Sequence, residues 1–440
     1  DSKLGVLRWL ETVSLPGLSQ EPVEHQHLLR AMDALLAQQG DVDKVLSGLL
    51  RPLVDQDLAV VFYDMTTIRT AGLSEQEGDV RQYGMSKEGL IARQVMLGVV
   101  QTADGLPLYH EIFEGNTAEV STLKPIIEKI VERYPVKRII AVADRGLLSI
   151  DNLQDLQAMR LPNGNPLEFI LAVPGRRYSE FVELLEPLQA QCANAEQEVL
   201  GETPWNDLRL VMAHDPEAAA EASAKRDALI QKLEDQAGAW VGKLDDQDGG
   251  KRARGRKLSD GGVRARFYHE VCEAHLSRIV RVDLKSELFT YAIDEKALAH
   301  ARLMDGKLLL VTNVTDLAAA AVVERYKALA DIERGFRVLK SEIEIGPVYH
   351  RLPQRIRAHA AICFMALILY RVMRAKLREA QNSITPEKAL AKLRRIQHQK
   401  IILNKTQPVT GLSTITQEHA GILASLNVKK PTLDPQLTLL

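Results

Sequence analysis

Cysteine is nearly absent from this chain, with only Cys192, Cys272 and Cys363 in 440 residues. Three thiols so far apart support neither a disulfide framework nor a Cys-x2-Cys metal site, and they point to a reducing compartment, the cytoplasm. No apolar run approaches the roughly 20 residues that span a bilayer. The most apolar stretch, AHAAICFMALILY from Ala358 to Tyr370, is interrupted by His359 and reads as a buried helix, so no membrane partner is expected. The opening DSKLGVL has neither an initiator Met nor the basic-then-apolar start of a signal peptide. No HExxH, P-loop or GxGxxG occurs, and GMSKE at 84–88 lacks the second Gly of a nucleophile elbow. Strong net charge is missing too, the formal value being −2.

That near-neutral average conceals an uneven distribution. Between Arg351 and Lys405 there are thirteen Lys or Arg against Glu379 and Glu387, a balance of +11. A second basic run, KRARGRK at 251–257, is flanked by glycines, whereas residues 1–60 carry nine acids and five bases. Concentrated positive charge suits a phosphate backbone, because binding releases condensed counterions. A solvated helix face and an exposed loop have the same composition, so charge alone does not decide between them.

With 46% apolar residues the chain can fill a sizeable core, and its length suggests two or three domains. Residues 1–57 read as an N-terminal helical region, with Leu28, Leu29, Met32, Leu35 and Leu36 at helical spacing. The period then changes. LAVVFYDMTTI at 58–68 is a β-branched and aromatic run, and RQVMLGVVQT, then DG, then PLYHEIFEGN reads as a hairpin. A helix over 121–134, a strand RIIAVADRG at 138–146, a helix at IDNLQDLQAM and a strand FILAVP follow. The order strand, strand, strand, helix, strand, helix, strand predicts an α/β fold with a mixed sheet flanked by helices over 58–174. Regularity is lost over 175–304, which reads as an insertion containing a helix at 216–236. The core resumes over 305–380 with DGKLLLVTN and one long helix over about 316–343, and 381–440 is a basic C-terminal region. No internal repeat is found.

Two residues stand out against this pattern. Asp64 lies in an otherwise apolar strand and Asp144 at the end of another, where an ionised carboxylate needs a partner, a metal or exposure. An ion pair with Arg145, or a helix cap, would satisfy Asp144. Alternatively, phosphodiester chemistry by two divalent ions needs carboxylates from separate elements around one phosphate, and strand ends in such sheets line the crevice where ligands bind. Glu333 is the candidate third ligand. Tyr326, Glu333 and Lys340 are spaced by seven and share one stripe of a continuous helix, with Arg337 a turn from Glu333. An ion-pair ladder is the plainer account of that stripe.

Taken together, FYDMTTI, YGMSKEG, DGLPLYHEIFEGNTAEVSTL, VADRGLLS, DGKLLLVTN and YKALADIERGFRVLKSEIEIGPVYHR resemble the DDE transposases of bacterial insertion sequences, over about residues 25–375. The resemblance implies a ribonuclease-H-like core, an insertion between strand five and the Glu-bearing helix, and a helix signature Tyr-x2-Arg-x3-Glu-x6-Lys. Tyr326, Glu333 and Lys340 hold those spacings, and Leu329 stands at the Arg position, a phosphate contact that Arg334 or Arg337 would replace. By this resemblance Asp64, Asp144 and Glu333 are catalytic and bind two Mg²⁺ ions, with Mn²⁺ as substitute. Tyr326, Arg337, Lys340, Arg145, Arg394 and Arg395 contact DNA. The implied activity is metal-dependent cleavage and strand transfer at the ends of an insertion sequence, by a homodimer or higher multimer on double-stranded DNA. The alternatives are a nuclease of the same fold, or an inactive transposase-derived DNA-binding protein. Trp240 either stacks on a flipped base or packs the insertion helix.

Overall fold

The computed structural model describes residues 2–13, 15, 22–54, 59–72, 76, 78–85, 91–134, 136–144, 150–192, 195–250, 257–401 and 409–432. The chain forms two compact units, one of Asp1–Ile170 with Arg325–Leu440, the other Leu171–Glu324.

The first unit opens with helices α1 (Lys3–Leu10), α2 (His25–Ala37) and α3 (Gln39–Leu50). A reciprocal cap between Glu24 and His27 starts α2. Then come β1 (Ala59–Arg69), β2 (Gln82–Met85), β3 (Ile91–Thr102), β4 (Pro107–Glu114), α4 (Leu123–Arg133), β5 (Ile139–Ala143), α5 (Ile150–Ala158) and β6 (Glu168–Ala172). β1 is rich in β-branched and aromatic residues, and Val61, Phe62, Tyr63 and Met65 are almost wholly buried. It pairs antiparallel with β3 and parallel with β5, from Ala59 opposite Ile139 to Tyr63 opposite Ala143. Within this unit the order is β2-β3-β1-β5-β6, and β4 shares the outer edge of β3 with β2. α4 buries Leu123, Ile126, Ile127, Ile130 and Val131 on one stripe and packs on β4. The short β2, which alternation in the sequence does not reveal, is located by Gly84 and Gly115. A Cβ at Gly115 would overlap backbone oxygens of Gln82 and Gln94.

In the second unit lie α6 (Val182–Cys192), β7 (Val199–Trp205), β8 (Leu208–His214), α7 (Pro216–Asp248), α8 (Asp260–Glu273), β9 (Val280–Val282), β10 (Tyr291–Ile293), α9 (Glu295–Met304) and β11 (Lys307–Thr312). β11, β8 and β7 are successive antiparallel neighbours. The β7–β8 hairpin was not expected from the sequence. Gly201 and Pro204 break up the strand pattern of β7, and both are tolerated because it ends the sheet. α7 extends twelve residues past the expected end at 236. It carries Ile230, Leu233 and Ala237 into a core with Val263, Phe267 and Phe289.

The first unit resumes from Arg325, near the end of α10 (Ala319–Lys327), and continues through α11 (Ala330–Ser341), α12 (Pro353–Glu379), α13 (Pro386–Leu393), β12 (His398–Ile401), β13 (Val409–Leu412) and α14 (Gln417–Ser425). The long helix expected over about 316–343 is therefore two helices. They meet at Leu329, which is buried and caps α11. α12, by length and composition, is apolar enough to cross a membrane. Here it packs against α2, β4, α11, α13 and α14, burying Ile356, Cys363, Phe364 and Leu367.

Candidate functional site

The parallel ladder of β1 and β5 brings Asp64 and Asp144 together from eighty positions apart. The last paired positions are Tyr63 and Ala143, and each aspartate is the next residue on its strand. Adjacent strands lie about 4.8 Å apart, and level positions on them present side chains to the same face. Both aspartates are half-buried, Asp64 midway along β1 and Asp144 just past the end of β5. Asp64 Oδ1 accepts from the Met65 amide at 2.7 Å, and Asp144 Oδ1 accepts from the Tyr326 hydroxyl at 2.7 Å. Beneath Asp64, the Tyr63 hydroxyl donates to Thr122 at 2.7 Å, and burial holds that phenol well above its ordinary range. β1 is thus anchored beside Asp64, while both carboxylates stay partly exposed.

Tyr326 belongs to α10, whereas Glu333, Arg337 and Lys340 belong to α11, so the break at Leu329 removes the continuous stripe expected from the heptad spacing. Leu329, at the Arg position of the signature, points into the core instead of towards a phosphate. Glu333, Arg334, Arg337 and Lys340 are exposed, and α11 packs on β1 and α12 through Ile332, Phe336 and Leu339. Hard divalent cations take oxygen ligands, the kind of donor that both carboxylates offer. Glu333 is not gathered with the pair. Among the described residues no three His, Cys, Asp or Glu side chains are grouped as a metal would require.

What holds α11 in place is not a motif the sequence offers. Arg371 of α12, 6% exposed, donates to Asp331 Oδ2 and to the Asp331 carbonyl, each at 2.9 Å. Gly105, at the tip of the β3–β4 hairpin with φ +80°, lies so close that a Cβ would overlap Asp331 Oδ2. A Cβ on Gly335 would come within 3.2 Å of Arg371 Nη2. The one-turn spacing of Asp331 and Gly335, with the Asp104-Gly105 turn, is the only trace of this contact in the sequence.

The remaining candidate DNA contacts divide. Arg394 and Arg395 are exposed just past α13. Arg145, and 251–256 of the basic loop, lie outside the described residues. Several cations of the 351–405 stretch are engaged within the unit: Arg355 with Asp33, Arg357 with the Ile112 carbonyl, Arg371 with Asp331 and Lys392 with Glu418. The +11 balance therefore overstates the charge available to a ligand. Trp240 packs edge-on to Phe267, with centroids 6.4 Å apart, in the second unit's core. All three cysteines are free.

No family model matches the chain, nor does any curated protein. Among solved structures, the piggyBac transposase synaptic complex with hairpin DNA matches at a TM-score of 0.39 and 7% identity, over 77% of this chain and 52% of that one. The chain thus spans about half the length of that transposase. A likeness of this degree passes neither fold nor activity to the chain.

Proposed function

We propose that the chain is a transposase that cleaves DNA at the ends of a mobile element and rejoins it, with Asp64 and Asp144 at the reacting phosphate. The observation that carries this reading is the parallel register of β1 and β5, which sets two half-buried carboxylates level with each other, Asp64 midway along β1 and Asp144 just past the end of β5, with the Tyr326 hydroxyl on one of them. The strand order, three antiparallel strands and then two more on the far side of β1, supports a ribonuclease-H-like core. So does the resemblance of the six motifs.

Asp64 and Asp144 would hold Mg²⁺, with Glu333 as the third carboxylate once DNA is seated. Bound divalent ions supply Lewis-acid stabilisation of the phosphate and an activated nucleophile. The chain's own part is positioning and charge. Tyr326 fixes the orientation of the Asp144 carboxylate by donating to one oxygen, leaving the other free for a ligand. Arg337 and Lys340, exposed on the helix of Glu333, provide donors for the phosphates flanking the reacting one. Chemistry at phosphate is accelerated mostly by such placement.

A second reading, an inactive DNA-binding derivative, is favoured by one observation: Glu333 stands apart from the aspartates, with Leu329 buried at the Arg position. Incubating the protein with its flanking genomic DNA and Mg²⁺, then resolving the products, separates the readings. Transposition gives joined products, a nuclease gives cut ends alone, and the inactive derivative leaves the DNA whole.

A further inference from the structure

A cavity of about 470 Å³ opens where the chain turns into α12, walled by Lys3, Gln76, Tyr349, His350, Arg351 and Arg355. None of the described residues lining it is acidic. Asp33 approaches from α2, but its two oxygens are taken by Arg355 in bonds of 2.8 Å each. Lys3 Nζ lies 3.1 Å from His350 Nε2. Burial, followed by Lys3, His359 and Arg355, pushes His350 down to about 4, so at neutral pH the ring accepts from the Lys3 ammonium instead of adding a charge. Burial and Arg355 likewise lower Lys3. Lys3 and Arg351 thus bring positive charge to a concave site with no carboxylate among the described residues that line it. The cavity's two kinds of donor, a compact ammonium and a planar guanidinium, both suit phosphate oxygens. Tyr349, 74% exposed, leaves an aromatic ring in water beside them, the arrangement that nucleic-acid strands use for stacking.

The cavity's place on the fold relates it to the aspartates. The Val348 amide donates to the Arg69 carbonyl and the Ala71 amide to the Val348 carbonyl, tying the segment before Tyr349 to the far end of β1. Thr70, bridged to Val348, is six residues from Asp64. At about 3.3 Å per residue this is roughly 20 Å, or about six phosphates along one strand of a duplex.

Resting on the proposed transposase reading, we propose that this cavity seats a backbone phosphate of DNA about six nucleotides from the Asp64–Asp144 pair, with Lys3 and Arg351 on the phosphate and Tyr349 against the attached nucleoside. The same chemistry would take free phosphate, so two probes are needed on the full chain: inorganic phosphate by calorimetry, and a labelled duplex by anisotropy across salt concentrations. The double variant Lys3→Gln/Arg351→Gln is expected to lose phosphate uptake, to bind the duplex about tenfold more weakly, and to lower the slope of log K against log salt by roughly 0.9 for the one phosphate no longer neutralised. Tyr349→Ala should weaken the duplex at least about fivefold and leave inorganic phosphate unchanged. Neither Lys3 nor Arg351 is ion-paired with an acid among the described residues, and unchanged thermal melting confirms folding. If the folded double variant keeps phosphate uptake, duplex affinity and salt slope, the proposal is overturned. If wild type takes up phosphate, the double variant does not, and neither binds duplex, the anion site stands while its DNA ligand and the transposase reading both fall.

Discussion

Arg371 is the residue whose role departs most from its appearance in the sequence. It sits in a basic stretch that invites assignment to DNA, yet its guanidinium is inside the first unit, holding Asp331 by side chain and carbonyl. Removing it leaves the partly exposed Asp331 with only Arg334, at 3.4 Å, at a cost of about 2–3 kcal/mol, below the penalty for breaking a wholly buried pair. Arg371→Met is therefore expected to lower unfolding free energy by about that amount in urea melts, whereas Arg374→Met on the same helix should cost under about 0.5 kcal/mol. His110 of β4 sets a pH dependence. Its ring stacks on Phe364 at 4.4 Å between centroids, and burial pushes it down to about 4 from the ordinary 6.5. The unfolded chain then binds a proton in this window that the folded chain does not. Stability from this residue is complete above pH 6.5 and is lost as pH falls, by about 3 kcal/mol at pH 4. His110→Phe should flatten that slope in denaturant melts repeated across the range; an unchanged slope would place the acid sensitivity elsewhere.

At the scale of elements, legibility followed the length and purity of each pattern. β1, β3, β4 and β5 were readable because their apolar runs are long and bounded by turn residues, with Asp104-Gly105 closing the hairpin. β2 and β7 were not, since one is four residues long and the other contains Gly201 and Pro204. The break between α10 and α11 was hidden because every residue near it is a helix former; packing of Leu329, not propensity, ends the run. The aspartate pair could be suspected from two carboxylates in apolar strands, but its register depends on the β1–β5 ladder, which no local pattern encodes. The anchor of α11 was illegible for the same reason, being made by Gly105, Asp331 and Arg371 from three elements. α11 carries its own prediction. Glu333 is exposed in the helix's first turn, so Glu333→Gln should shift thermal melting little while abolishing Mg²⁺-dependent cleavage. Full cleavage by the variant would remove Glu333 from the reaction.

For the molecule as a whole, the proposal requires that metal binding and DNA binding be separable functions of different surfaces. Arg394 and Arg395 are exposed beyond α13, and on the proposed reading they are DNA contacts of the C-terminal segment. Replacing both with Gln should weaken specific and random duplexes about equally and lower the salt slope by roughly 0.9 for each phosphate no longer neutralised. Unchanged affinity and slope would mark them as solubilising charge. The most direct test of the central claim is paired measurement of cleavage and binding for Asp64→Asn and Asp144→Asn on DNA that carries the element's ends. Asn keeps the side chain's shape, and at position 144 it keeps an oxygen for the Tyr326 hydroxyl, so folding should be retained. The account predicts that wild type cuts this DNA only with Mg²⁺ or Mn²⁺, and that both variants lose cutting while holding duplex affinity within about twofold. Cutting that survives either substitution, or affinity that falls in step with it, would contradict the account.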